Sequence, residues 1–299
     1  MKEIQGHGVA MITPFKGDGS IDFDFISVIV NHLINGGVDY LVVLGTTAET
    51  ATLSKEEKRA LVDKIIEVNG GRLPLVLGLG GNYTQELLGM FEWFDLSAFT
   101  ALLSVTPYYN KPNQEGLYQH YKTISTHSSL PLILYNVPSR TGINMAPETV
   151  LRLAKDFENI VAVKEASGDF QQAQSLIKLC PSNFSVLSGD DEMSLPMILA
   201  GAKGVISVIG NALPEQYSKI IHQGLLRNID EAYSIQYQLL ELIRMIYLEG
   251  NPTGIKVLME TLNLCENNLR LPLVQASKHL TLKLKKEFKN VIPLKTTQS

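Results

Sequence analysis

The chain has 299 residues, 45% of them apolar and 19% charged, with a formal net charge of −4. This composition can fill a large core and excludes a disordered chain, and the weakly acidic balance excludes a basic field for nucleic acid. Small anionic substrates would need local capture groups.

The two cysteines, Cys180 and Cys265, share no close spacing, so we expect no disulfide framework and a reducing, cytoplasmic setting. The opening "MKEIQGHGVAMITPF" lacks an apolar signal segment. No apolar run reaches the roughly 18 residues of a membrane span.

In chain order, the first strands are predicted at "GVAMI" (8–12) and "YLVVLG" (40–45). A helix follows at "SKEEKRALVDKIIEV" (54–68), with Ser54 as N-cap and Glu57 completing a capping box. The strand "LPLVLGLG" (73–80) precedes a helix opening at Thr84 in "TQELLGMFEWF" (84–94). Next come the strands "FTALLSVTP" (99–107) and "LPLILYNVP" (130–138), then the helix "APETVLRLAKDF" (146–157) with Pro147 in its first turn. The strands "NIVAVKEAS" (159–167) and "FSVLSGD" (184–190) lead to a glycine-terminated helix, "DEMSLPMILAGAKG" (191–204), and "GVISVIGN" (204–211) is the eighth strand. Nearly continuous apolarity suits strands covered on both faces. Their spacing, roughly 20–35 residues, suits strand-plus-helix units.

Eight such units predict an α/β fold, a (β/α)8 TIM barrel. After Pro214 the strands stop, and 214–250, 251–265 and 271–288 read as helices. We expect a catalytic barrel over 1–224 and a helical appendage over 225–299, with a poorly ordered tail, "NVIPLKTTQS".

In such a barrel the chemistry lies at the C-terminal strand ends. Here they read "GTTAET", "TPYYNKP", "YNVPSRTG", "KEASGD", "SGDD" and "GN". If Lys164 points inward, alternation sends Ala162 and Ile160 inward and Val161 and Val163 toward the helices. A lysine amine in low dielectric is held neutral and attacks carbonyls. The alternative is a snorkelling lysine, or one paired with Glu165. Thr46 and Thr47 after Gly45 can cradle a carboxylate, or form an ordinary turn. Tyr135 can relay protons or be a core tyrosine. Arg140, between Pro138 and Gly142, can clamp a carboxylate or be a solvated loop residue. Tyr108 and Tyr109 on an extended chain would be a core-plus-surface pair. Together these groups describe carbonyl activation in a carboxylate pocket.

The six histidines are scattered without ligand spacing, and Asp190, Asp191 and Glu192 suit a helix N-terminus better than a metal site. We therefore expect no metal. "GLGGN" lacks the full dinucleotide fingerprint.

The motifs "GTTAETATLS", "VTPYYNKP", "YNVPSRTG", "VAVKEASGD", "LSGDD" and "GVISVIGN" occur in order over roughly residues 4–290. They resemble the dihydrodipicolinate synthase family of the pyruvate-dependent class I aldolases. The resemblance implies condensation of pyruvate with aspartate 4-semialdehyde, without metal or organic cofactor, on the diaminopimelate route to lysine. It implies a Schiff base on Lys164 and a proton relay of Tyr135, Thr47 and Tyr109, the last supplied by a neighbouring subunit of a dimer-of-dimers tetramer. Thr46 and Thr47 would hold the pyruvate carboxylate, Arg140 the semialdehyde carboxylate, and Gly189 and Ile206 would line the lysine pocket through backbone groups.

A lysine-inhibition site would map to Thr50, Ala51, Leu53, Lys55, Lys58, Asn82, Glu86 and Tyr108. Lys55 and Lys58 replace histidines of many lysine-sensitive members, and two cations would repel the ligand's ammonium groups. The resemblance thus implies weak or absent inhibition. Sugar-acid lyases of the same superfamily are the nearest alternative, and Arg140 argues against them because they usually lack an arginine there. A catalytically silent 2-oxoacid-binding barrel is disfavoured because Lys164, Tyr135, Thr47 and Tyr109 occur together.

Overall fold

The computed structural model describes residues 4–291. Eight parallel strands close a barrel in sequence order: β1 Gly6–Ala10, β2 Tyr40–Val43, β3 Leu75–Gly78, β4 Ala101–Val105, β5 Leu132–Asn136, β6 Ile160–Glu165, β7 Ser185–Ser188 and β8 Gly204–Ser207. All eight runs read from the sequence are strands. Helices cross over between them: α1 Phe23–Asn35, α2 Lys55–Asn69, α3 Thr84–Met90, α4 Gln114–His127, α5 Pro138–Thr141, α6 Pro147–Asp156, α7 Phe170–Leu179, α8 Ser194–Ala200 and α9 Pro214–Leu225. After these come α10 Ile229–Met245, α11 Thr253–Thr261 and α12 Lys278–Val291.

Successive strand residues serve two cores. Ala10, Val42, Val76, Leu103, Ile133 and Leu187 fill the barrel, while Val9, Leu41, Leu77, Leu134 and Val205 pack outward on the helices. Each such valine, leucine or isoleucine, fully buried, contributes about 1.5–3 kcal/mol. Tyr40 lies wholly inside the barrel and donates to the Val205 carbonyl at 3.1 Å. Its ring occupies the space above Gly8, where an added Cβ would sit 2.2 Å from it.

The capping box at α2 forms as predicted, with Ser54 accepting from the Glu57 N–H and Glu57 accepting from the Ser54 N–H. The strict alternation expected along β6 does not hold. The register between β5 and β6 shifts after Leu132, so Ile133 faces Ala162 rather than Val161. Ile160 consequently joins the outer core, and Val161 packs on the inner cluster. An extra residue in one strand flips the faces below it, but Ala162 inward and Val163 outward stand.

Two helical expectations are corrected. The segment 214–250 breaks between α9 and α10, where Arg227 takes a left-handed φ of 65°. The segment 271–288 becomes helical only from Lys278. Pro272 disfavours helix at Leu271, and Ser277 supplies the start. Its Oγ accepts from the Leu280 N–H at 3.1 Å, while Glu249 accepts its N–H at 2.7 Å and its O–H at 2.6 Å. From residue 292 the tail lies outside the described residues. No helix among those described is long and apolar enough to cross a membrane.

Candidate active site

Lys164 is the last inward residue of β6 and stands directly across from Tyr135 on β5. It is 5% exposed, and its Nζ lies 4.3 Å from the Tyr135 ring centroid. The snorkelling alternative fails on that burial. The Glu165 alternative fails as well, because Glu165 turns to the other face. There it accepts from Asn136 Nδ2 at 3.0 Å, Gln172 Nε2 at 3.0 Å and the Ser167 N–H at 2.7 Å. Gly189, just past β7, makes room for the lysine stem: an added Cβ there would meet Lys164 Cε at 2.9 Å and Ala166 Cβ at 2.6 Å.

Thr46 and Thr47 open a single helical turn after β2, Thr46–Ala48. First-turn N–H groups have no intrahelical acceptor, so they are open to an anion. Left-handed residues bracket the turn, Leu44 at φ 57° and Glu49 at φ 53°. Non-glycine residues rarely adopt that region, so the surrounding structure must hold it. Thr13 Oγ1 donates to the Ala48 carbonyl at 2.7 Å, and Asn251 Nδ2 donates to Thr47 Oγ1 at 3.0 Å. Because the Thr47 oxygen already accepts, its proton is free to donate elsewhere.

A cavity of about 380 Å³ joins these groups, lined by Thr46, Thr47, Tyr135, Arg140, Lys164 and Gly189 among others. Ile206 is not in its lining; it lies in the inner barrel cluster. Arg140 sits on α5, which ends at Gly142 with φ 72°, and among the described residues it makes no ion pair. Tyr109 is not among the residues lining this cavity. It is 90% exposed with a left-handed φ of 70°, and Tyr108 is exposed too. The core-plus-surface expectation for this pair is therefore wrong, because the chain turns there rather than extending.

A second cavity, about 570 Å³, reaches Lys164, Tyr135 and Arg140 from another side. Thr50, Ala51, Lys58, Asn82, Glu86 and Tyr108 line it. Leu53 and Lys55 do not. Leu53 is buried in the outer core, and Lys55 Nζ sits 5.0 Å from the Trp93 ring centroid. Burial lowers the Lys58 amine below its ordinary value, with the Glu86 charge opposing.

The family model described as the Dihydrodipicolinate synthetase family matches residues 3–291. The chain belongs to this family. It is 54% identical over 284 residues to the 4-hydroxy-tetrahydrodipicolinate synthase of Flavobacterium psychrophilum, covering 95% of this chain and 97% of that one. It superposes with TM-score 0.94 on the dihydrodipicolinate synthase of Thermotoga maritima, at 37% identity over 97% and 99% of the two chains. The Acinetobacter baumannii enzyme, complexed with pyruvate, superposes with TM-score 0.93 at 37% identity over 96% and 99%. The family's reaction is therefore this chain's: a lyase-type condensation of pyruvate with L-aspartate 4-semialdehyde to 4-hydroxy-tetrahydrodipicolinate, in lysine biosynthesis through diaminopimelate.

Within this family fold, sequence reasoning missed what the helical segment brings to the site. Asn251, Arg244 and Tyr247 all line the first cavity. Arg244 forks onto Glu192 at 2.6 and 3.0 Å and reaches Glu241 at 3.0 Å. Tyr247 donates to Asp191 at 2.8 Å, and Asp191 also accepts the Val208 and Ile209 N–H groups. Burial pushes the Asp191 carboxyl above its usual range. The acidic run is thus a structural post as well as a helix lead-in. No spacing in the sequence joins residues 191, 208 and 247. The "GNPTG" turn at 250–254 marks Asn251 as special without saying what it touches.

Proposed function

We propose that Lys164 is the Schiff-base nucleophile, and its burial in the cavity beside Tyr135 carries the reading. The amine adds to the pyruvate ketone carbon, and water leaves to give an imine. A proton lost from the methyl group gives an enamine, whose carbon attacks the aldehyde to form the new C–C bond. The aldehyde oxygen becomes the hydroxyl of the product. The semialdehyde's own amine then attacks the imine carbon, expels Lys164 and closes the ring.

Thr46 and Thr47 hold the pyruvate carboxylate through hydroxyl and backbone donors, with Gly189 and Ile206 as backbone neighbours of the lysine pocket. Tyr135 and Thr47 pass protons together with Tyr109 of a second copy. The exposure of Tyr109 supports that role, which requires at least a dimer; we propose a dimer-of-dimers tetramer. Arg140, lining the cavity, takes the semialdehyde carboxylate. We divide the chain into a catalytic barrel, 1–224, and a C-terminal helical region, 225–299. Asn251, Arg244 and Tyr247 make the latter part of the site. A cytoplasmic setting fits the free thiols of Cys180 and Cys265. The test is borohydride reduction in the presence of pyruvate, followed by peptide mass spectrometry. We expect one reduced pyruvyl adduct, on Lys164; an adduct elsewhere, or none, overturns the assignment.

We also propose that free lysine binds weakly or not at all. Thr50, Ala51, Lys58, Asn82, Glu86 and Tyr108, which share one cavity, form the site to be tested, and Lys58 supplies a cation within it. Isothermal titration with L-lysine should give no resolvable heat at micromolar ligand, and tight binding would overturn this.

A further inference from the structure

One fully buried ion pair lies outside the groups assigned to the chemistry. Lys256 on α11 and Glu49 just after the threonine turn meet at 2.6 Å, both side chains 0% exposed. Lys256 Nζ also donates to the Asn268 carbonyl at 2.7 Å, and Glu49 Oε2 accepts the Arg270 N–H at 3.0 Å. The Phe15 ring seals the pair, 4.4 Å from Lys256 Nζ and 4.6 Å from Arg270 Cζ. Desolvation makes such a pair a poor source of stability compared with packed apolar residues of the same volume. Its placement suggests another use. Glu49 is the strained, left-handed residue that terminates the Thr46–Ala48 turn, and Asn251, which leads into α11, is bonded to Thr47. The segment running from Asn251 into α11 therefore grips the turn at two points, Thr47 and Glu49, two and four residues after Gly45.

We propose that the Lys256–Glu49 pair is a positioning device that sets the Thr46–Thr47 turn for the pyruvate carboxylate. This rests on the role given to those threonines above. Neither side chain lines the cavity that joins Thr47, Lys164 and Gly189; the pair acts through the backbone between Glu49 and Thr47. Loosening it shifts the hydroxyl and N–H donors off the carboxylate while Lys164 and Arg140, on other strand ends, stay in place. Misplacement by about 1 Å is enough to cost catalysis heavily.

The test uses the full chain with Glu49→Gln/Lys256→Met, which removes both charges together and leaves an oxygen for the Arg270 N–H. We expect the KM for pyruvate to rise about tenfold and borohydride trapping to slow in proportion, with the KM for the semialdehyde within about twofold of native. A merely structural role would not split the two KM values. Glu49→Asp, which keeps the charge and shortens the arm, carries the same test should the double variant not fold, and should show the same split in smaller measure. A folded variant with unchanged pyruvate KM, or with both KM values moving together, overturns the proposal. Failure of the underlying reading looks different: the native protein itself would then form no pyruvate adduct on Lys164.

Discussion

Lys164→Met should abolish condensation while leaving the protein at least as stable as native. Removing a nucleophile that forms the covalent intermediate lowers kcat by roughly 10³-fold or more. The stability side follows from the surroundings. Lys164 is buried against the Tyr135 ring, above Ala162 and beside Gly189, and among the described residues no carboxylate is within ion-pair reach of it. An amine there loses hydration without gaining a counter-charge, so an apolar side chain of similar length relieves a cost. Active sites commonly trade stability for function in this way. Thermal melts and steady-state assays on the same preparation check both halves. A variant that kept more than about a tenth of native kcat would remove Lys164 from the mechanism. A large drop in melting temperature would show that the amine has a partner supporting the fold.

The barrel was legible because its signal is local. A strand buried on both faces needs an uninterrupted apolar run, and each of the eight runs is visible without knowing its neighbours. Lys164, Tyr135 and the threonines were legible for the converse reason, as polar interruptions where such runs end. What stayed hidden depends on distant pairs. The bulge that turns Ile160 outward is a property of β5 and β6 together. Ser277 starts α12 held by Glu249, which accepts from it across 28 residues. Asn251 meets Thr47 across 204 residues, and Lys256 meets Glu49 across 207. Tyr109 was hidden for another reason: alternation of side chains holds only along an extended chain, and its φ is positive.

Arg140→Leu should separate the two substrates. Arg140 projects from the short α5 into both cavities, it is exposed, and among the described residues no carboxylate neutralises it. A charge-assisted bond to a substrate carboxylate is worth about 1.5–3 kcal/mol, so its loss should lower kcat/KM for the semialdehyde roughly 10- to 100-fold. On the roles proposed above pyruvate is held elsewhere, at Thr46 and Thr47, so adduct formation on Lys164 should proceed at nearly the native rate. Stability should change by no more than about 0.5 kcal/mol, as for exposed positions generally. Arg140→Lys should recover only part of the loss, because an ammonium cannot reproduce the two-pronged fork. If Arg140→Leu impaired pyruvate trapping as much as condensation, the arginine would belong to the first substrate. The choice of aldehyde would then have to lie with other groups at the mouth, where Arg244 and Glu192 also stand.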